Sequence, residues 1–140
     1  MLAGKIGTKD GLERMFDFLD SWRKEGTKLC LFGHNIGRFD LPLLRAEARR
    51  HNLEHRLEGI SYVDTYEVLK HEDNNILWAN NGMARPTSFS LGNLYNHIFE
   101  RGITNQHSAV GDVVAIAEIL MKLDPNLSVS RDFIRELAFG

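Results

Sequence analysis

Cysteine is almost missing from this sequence. Cys30 is the only one in 140 residues, which excludes a disulfide framework and a cysteine zinc site. Within the apolar run Leu29-Cys30-Leu31-Phe32 it reads as a small buried hydrophobe. Proline is scarce too, with three in all, and no Pro- or Ser-rich linker, low-complexity tract or internal repeat divides the chain. At this length a single domain around one core is expected. No apolar run approaches the length of a bilayer span, and the start lacks the basic-then-apolar order of a signal peptide. The reading is an intracellular protein, of cytoplasm or nucleus, with no membrane partner. An excess of either charge is also lacking: 17 Lys and Arg stand against 19 Asp and Glu. The whole-chain charge therefore carries no nucleic-acid signature, and such a partner must be held locally or through metal ions.

What is present is a sequence of helical and strand patterns separated by polar turns. Asp10 and Glu13 have capping-box spacing, and Leu12, Met15, Phe16, Leu19 and Trp22 form a helical stripe that ends near Gly26. Thr27–Phe32 reads as a strand covered on both faces, as in the interior of a parallel sheet. The polar loop Gly33-His34-Asn35-Ile36-Gly37-Arg38-Phe39-Asp40 follows it. In open α/β sheets, ligands bind at such carboxyl ends of strands. Asp40 is expected at the N-cap of a helix running from Leu41 to about Asn52, where Arg45, Arg49 and Arg50 read as a solvated face. Alone, Asp40 reads as a plain cap more readily than as a metal ligand. Ile60–Val63 is a second strand, and Asp64 caps the helix after it, with Glu67 at the capping-box position.

Residues 71–87 are rich in Asn and Gly and read as a long loop, in which Trp78 and Arg85 either contact a substrate or anchor the segment. Ser90 opens a helix bearing Leu91, Leu94, Tyr95 and Ile98. A helix over Ala109–Leu123 follows, with Ala109, Val113, Ile116, Ile119, Leu120 and Leu123 at helical spacing. Asp124-Pro125 stops it, and Phe133, Ile134 and Leu137 suggest a last short helix. Asp112 falls on the apolar stripe, where a carboxylate loses hydration unless a cation or hydrogen bonds compensate. His107 stands just before the helix, and Gly111 leaves room for close approach. A metal-binding carboxylate beside an imidazole is equipment for activating water. The same pair also reads as a loop histidine and a helix-dipole aspartate.

Together these segments carry a resemblance. Leu31-Phe32-Gly33-His34-Asn35-Ile36-Gly37-Arg38-Phe39-Asp40-Leu41-Pro42-Leu43-Leu44 resembles the second motif of the DEDDh 3′–5′ exonucleases. Tyr62-Val63-Asp64-Thr65 is similar to the family's following strand end. Ser90-Leu91-Gly92-Asn93-Leu94 resembles the helix before its last motif. His107-Ser108-Ala109-Val110-Gly111-Asp112 is similar to the third motif. The nearest group is the three-prime repair exonucleases, and the likeness runs from about Thr27 to Leu123. It implies a ribonuclease-H-like α/β domain that removes nucleotides from a DNA or RNA 3′ end, with a role in DNA repair.

By position, the resemblance makes Asp40 and Asp112 metal carboxylates and His107 the base that deprotonates water. Asn35 and Arg38 would lie near a phosphate or sugar. It implies two Mg²⁺ or Mn²⁺ ions, about 3.5–4 Å apart in such sites, and a single-stranded 3′ end as partner. A homodimer is an assembly open to it. The family's first motif, an Asp-x-Glu strand, has no counterpart before Asp10. The expectation is therefore a partial domain over residues 1–140 without the first three strands of its sheet. It is a fragment of an active nuclease, a catalytically inactive nuclease-like binding module, or a chain whose missing carboxylates come from another chain. A small α/β module whose polar loops merely cap helices is the unrelated alternative. Two carboxylates are a thin shell for Mg²⁺. The chain alone is thus expected to bind the metal weakly, release no nucleotides from a labelled 3′ end and self-associate; an end-label assay and a solution mass measurement check this.

Overall fold

The computed structural model describes residues 8–38, 40–106 and 108–139. The chain divides into two compact units. The first draws on the residues up to Phe32, on Ile36–Tyr62 and on the end from Ile134; the second comprises Gly33–Asn35 and Val63–Phe133.

Helix α1 (Lys9–Trp22) opens the first unit. Its N-cap is Thr8, whose hydroxyl accepts the Gly11 N–H at 2.9 Å, so the expected Asp10–Glu13 capping box gives way to an earlier cap. Asp10 instead pairs with Arg14 one turn on, at 3.1 Å. The helix stops at Trp22, short of Gly26, because Lys24 closes a turn with Thr27 that needs the left-handed φ of +78° at Gly26. Leu12 and Phe16 enter the core of this unit with Leu41, Leu44, Ala48, Leu57, Ile60 and Leu137. Each large side chain so buried contributes roughly 1.5–3 kcal/mol. Trp22, expected on the same stripe, is 66 % exposed and meets Phe18 edge to face.

Three strands form one sheet in the order β1 (Leu29–Gly33), β2 (Ile60–Asp64), β3 (Arg135–Glu136). The buried interior strand is β2, every residue of which is buried. Strand β1 was expected to be covered on both faces, yet it is half-buried at four of its five positions. Among the described residues it has a strand neighbour on one side only. The expected C-terminal helix is present only as short 3-10 turns over Ser130–Phe133 and Leu137–Phe139; between them β3 pairs antiparallel with β2, Ser61 opposite Glu136 and Tyr62 opposite Arg135. Lys28 reaches Glu136 at 3.1 Å. Pairing satisfies backbone groups that a free C-terminal segment would leave to water.

Helix α2 (Asp40–Arg50) buries Leu41, Leu44 and Ala48 on one face. Arg45 is not a solvated residue: its Nε donates to the Leu137 carbonyl at 2.7 Å, and its guanidinium lies over the Tyr62 ring. Arg49 forms an exposed pair with Glu54, of a kind worth about 0–1 kcal/mol, and Arg50 reaches the half-buried Glu47 at 3.6 Å.

The second unit is helical, with α3 (Thr65–Lys70), α4 (Asn75–Ala79), α5 (Leu91–Phe99) and α6 (Ala109–Leu123). Part of the supposed loop is thus α4, and Trp78 within it is 1 % exposed. Trp78 is an anchor. Asparagines organise the neighbouring turns, Asn74 donating to the Val68 carbonyl and Asn81 to that of Leu77. Helix α6 has the expected bounds and buries Ile119, Leu120 and Leu123 as read, but its first two turns face inward through Gly111 and Ala115 instead of Ala109 and Val113. Gly111, Ala115, Ile119, Leu120 and Leu123 are buried, whereas Val113 is 65 % exposed. At the start of the helix the inward position is a glycine, because the preceding turn passes close to it. A Cβ on Gly111 would collide with the Asn105 and Thr104 carbonyl oxygens. No helix among the described residues is long and apolar enough to cross a membrane.

The end of α6 is held by Asp124, which is buried. Its carboxylate accepts from Ser128 Oγ, Val129 N–H, and both the N–H and the hydroxyl of Ser130. Burial pushes its pKa up, but the bonds from Ser130, Val129 and Ser128 outweigh this and hold it below the usual 3.8. A depressed folded pKa stabilises above the unfolded value and is lost as pH falls through the folded one. Thermal melts of Asp124→Asn should therefore show lower stability at neutral pH and a shallower acid-side decline than the parent below about pH 4.

Candidate functional site

The site is built on Gly33–Asn35, where the chain leaves β1. Asn35 takes a left-handed φ of 59°, a conformation that asparagine tolerates better than most residues. This turn aims its N–H at Asp64, which accepts it on Oδ1 at 2.7 Å. The same oxygen accepts the Tyr66 N–H at 3.0 Å and so caps α3. Asp64 is 8 % exposed. Its expected capping role is confirmed, and it also ties the polar loop to the helix.

His34 is locked between two partners. Nε2 lies 2.6 Å from the Phe89 carbonyl and Nδ1 lies 2.8 Å from Thr65 Oγ1. A carbonyl only accepts, so Nε2 carries the proton; in the neutral ring Nδ1 is an acceptor, and the one Thr65 hydroxyl proton is divided between it and the Gly33 carbonyl at 3.1 Å. Burial pushes the His34 pKa below 6.5, against the opposing effects of the Phe89 bond and the Asp64 charge. The ring meets Tyr66 edge to face at 5.5 Å, and Tyr66 meets Phe89 likewise at 6.5 Å.

These residues wall a cavity of about 740 Å³, with Lys70, Arg85 and the Thr87–Leu91 segment completing it. Lys70 Nζ bonds the Tyr66 hydroxyl at 2.9 Å and sits 5.0 Å from that ring's centre. Arg85 donates to Asn75 Oδ1 and the Lys70 carbonyl, both at 2.6 Å, and lies over Phe89. Among the described residues neither cation is paired with a carboxylate. Two cations keeping neutral partners beside two aromatic rings make a pocket suited to an anionic ligand with planar parts.

Asp112 lies in the first turn of α6, half-buried, at the wall of a second cavity of about 520 Å³ lined also by Ser90–Asn93, Asn96, Ile103 and Gln106. Ser108 caps the helix through the Gly111 N–H at 2.9 Å. Asp40 is exposed and is the first residue of α2 rather than its cap. It belongs to the first unit and Asp112 to the second. His107 lies outside the described residues. Arg38 is exposed, and Asn35 contributes a cavity wall as well as its backbone N–H. Among the described residues no three His, Cys, Asp or Glu side chains could hold a metal ion together. Asp40 and Asp112 offer the hard oxygens that Mg²⁺ prefers, but the described set does not make up a two-ion site.

Sequence reading left Lys70, Tyr66 and Phe89 out of the site. The available signal was position: Lys70 and Tyr66 lie on the helix that Asp64 caps, directly after a strand end. Because a neutral buried His34 must be charged in the unfolded chain at low pH, its contribution is full above pH 6.5 and lost as pH falls through its folded value. Melts of His34→Gln should be less stable at pH 7.5 and lose less stability than the parent on acidification below pH 6.5.

No family model matches the chain. Over 97 residues it is 33 % identical to three-prime repair exonuclease 1 of Homo sapiens, covering 69 % of this chain and 30 % of that protein. Over 90 residues it is 33 % identical to three-prime repair exonuclease 1 of Bos taurus, covering 64 % of this chain and 28 % of that protein. The chain thus spans about 30 % of the length of the curated relatives that it matches. It is a relative of the 3′–5′ exonucleases.

Proposed function

We propose that this chain is part of a 3′–5′ exonuclease of the DEDDh type, acting on a single-stranded DNA or RNA 3′ end and serving DNA repair within the cell. The observation that carries the reading is the cavity beside Gly33–Asn35. Its cations Lys70 and Arg85 have no carboxylate partners among the described residues and stand against aromatic rings. Backbone phosphates need unneutralised cations, and splayed bases stack on aromatic faces. Relatedness to exonucleases over most of the chain supports the same reading.

In this proposal residues 1–140 form one partial ribonuclease-H-like domain. Asp40 and Asp112 supply two of the carboxylates for Mg²⁺ or Mn²⁺, and the family's first motif supplies the others. His107 takes the proton from the attacking water. The water oxygen bonds to phosphorus, the P–O3′ bond breaks, and the departing 3′ oxygen is protonated from solvent. Arg38 and Asn35 hold the neighbouring phosphate or sugar. A homodimer is the proposed assembly. A catalytically inactive nuclease-like binding module is the second reading, favoured by the lack of three clustered ligating residues among those described.

One measurement separates these readings, and a second tests the cavity itself. In a complete protein carrying the first motif, His107→Ala should slow single-turnover release of nucleotides by about 10²–10⁴, the usual worth of a general base, with oligonucleotide affinity nearly unchanged. An unchanged rate removes His107 from the chemistry, and no release by the parent favours the binding module. In either case Lys70→Gln should weaken single-strand binding and flatten its log–log salt dependence by about 0.7 for one lost phosphate contact. An unaltered salt slope would detach the cavity from nucleic acid.

A further inference from the structure

His34 stands in a hydrogen-bond set that is one proton short. Its Nε2–H donates to the Phe89 carbonyl at 2.6 Å, and Nδ1 lies 2.8 Å from Thr65 Oγ1. The same hydroxyl lies 3.1 Å from the Gly33 carbonyl. A hydroxyl has one proton to give. With a neutral ring, either Nδ1 or the Gly33 carbonyl therefore lacks that donor, at a position where Thr65 and Gly33 are both buried. A proton added at Nδ1 completes the set without moving a heavy atom. Nδ1–H then donates to Thr65 Oγ1, and the Thr65 proton turns wholly to Gly33.

Burial is what keeps that proton away, because it disfavours the charged ring. The Phe89 carbonyl and the charge of Asp64 act in the opposite sense. Both cations of the cavity rest on aromatic residues that also touch His34. Lys70 Nζ is 5.0 Å from the centre of the Tyr66 ring, which His34 meets edge to face at 5.5 Å. Arg85 lies over the ring of Phe89, whose carbonyl accepts from Nε2. His71 and His97, in the same unit, bond the Asp73 N–H and the Ala84 carbonyl and do not line this cavity. An anion held by Lys70 and Arg85 would bring negative charge to the wall that His34 forms, and a nearby opposite charge favours the charged ring.

We propose that His34 is a third cation of this cavity, recruited by its ligand: an anion held by Lys70 and Arg85, in the exonuclease reading a phosphodiester, is bound together with a proton taken up from solvent at His34 Nδ1. The proposal rests on the nucleic-acid reading of the cavity and adds its regulation by pH. Binding and protonation are then reciprocal. The ligand favours the imidazolium, and acidification favours the ligand. Affinity rises as pH falls through the midpoint of His34 in the complex and levels off below its midpoint in the free chain.

The probe is thymidylyl-thymidine, whose single phosphodiester and thymine rings keep their charge over the range in which histidine titrates. The ring signals of His34, assigned through the backbone, are followed by NMR through a pH titration with and without saturating probe. Dissociation constants are measured at both ends of the range. The His34 midpoint should rise on binding, and affinity should increase by about five- to tenfold toward acid, the low end of typical coupling between two sites. His71 and His97 should keep their midpoints, and His34→Gln should lose the acid-side gain. If that variant does not fold, the ring signals of the parent still decide. Probe binding with an unmoved His34 midpoint, or the same acid-side gain in folded His34→Gln, would overturn the inference and leave the phosphate site in place. A parallel titration with sulfate covers the remaining cases. Sulfate that raises the midpoint while the probe does not bind supports the proton coupling and removes the nucleic-acid reading; failure of both anions to bind removes both proposals.

Discussion

One oxygen of Asp64 accepts two backbone N–H groups, from Asn35 at 2.7 Å and Tyr66 at 3.0 Å. A buried carboxylate loses several kcal/mol of hydration unless hydrogen bonds replace it, and these two bonds do so. They also join two stretches that are distant in sequence. The first bond holds the turn after β1 in its left-handed conformation, and the second starts α3. His34, Tyr66 and Lys70 take their places around the cavity because both are anchored to this group. Replacing Asp64 would leave two inward-facing N–H groups without their acceptor and would release the loop and the helix together.

The second unit separates its polar tasks by residue type. Arginine and lysine line the larger cavity but lie on aromatic faces and neutral oxygens, so their charge remains available. Carboxamides line the smaller one together with the carboxylate of Asp112. Acidic groups elsewhere in the unit are engaged in structural work: Asp124 gathers the backbone after α6, and Glu118 receives the Tyr95 hydroxyl and Arg101. The likeness to three-prime repair exonuclease 1 covers about two thirds of the chain. The divalent-ion chemistry belongs to the proposal for the complete protein, because Asp40 and Asp112 are only half of the expected carboxylates.

Close approach recurs as the constraint on α6. Gly111 brings the helix start against the carbonyls of Thr104 and Asn105, and Ser108 caps it from just outside. Larger β-branched residues on the same helix, Val110, Val113 and Val114, are turned outward and exposed. Packing at native density favours the face on which backbones can meet most closely.

The sequence by itself determined the elements whose signals are local. Ser90 and Asp64 cap their helices as read, the bounds of α6 follow from its apolar period and the Asp124-Pro125 stop, and β2 ends at the expected aspartate. Caps and periods depend on residues within a turn of one another, so they are legible without a fold. The order of the motifs likewise disclosed the exonuclease relationship. Tertiary structure alone decided that Gly111 and Ala115 and not Val113 face inward at the start of α6, that β2 and not β1 is the buried strand, and that Arg135 and Glu136 pair with β2 ahead of a short final 3-10 turn. It alone brought Lys70, Arg85 and Phe89 to one cavity and Gln106 against Gly92. Each of these depends on which distant partner covers a surface or accepts a bond, and no spacing within the chain records that partner.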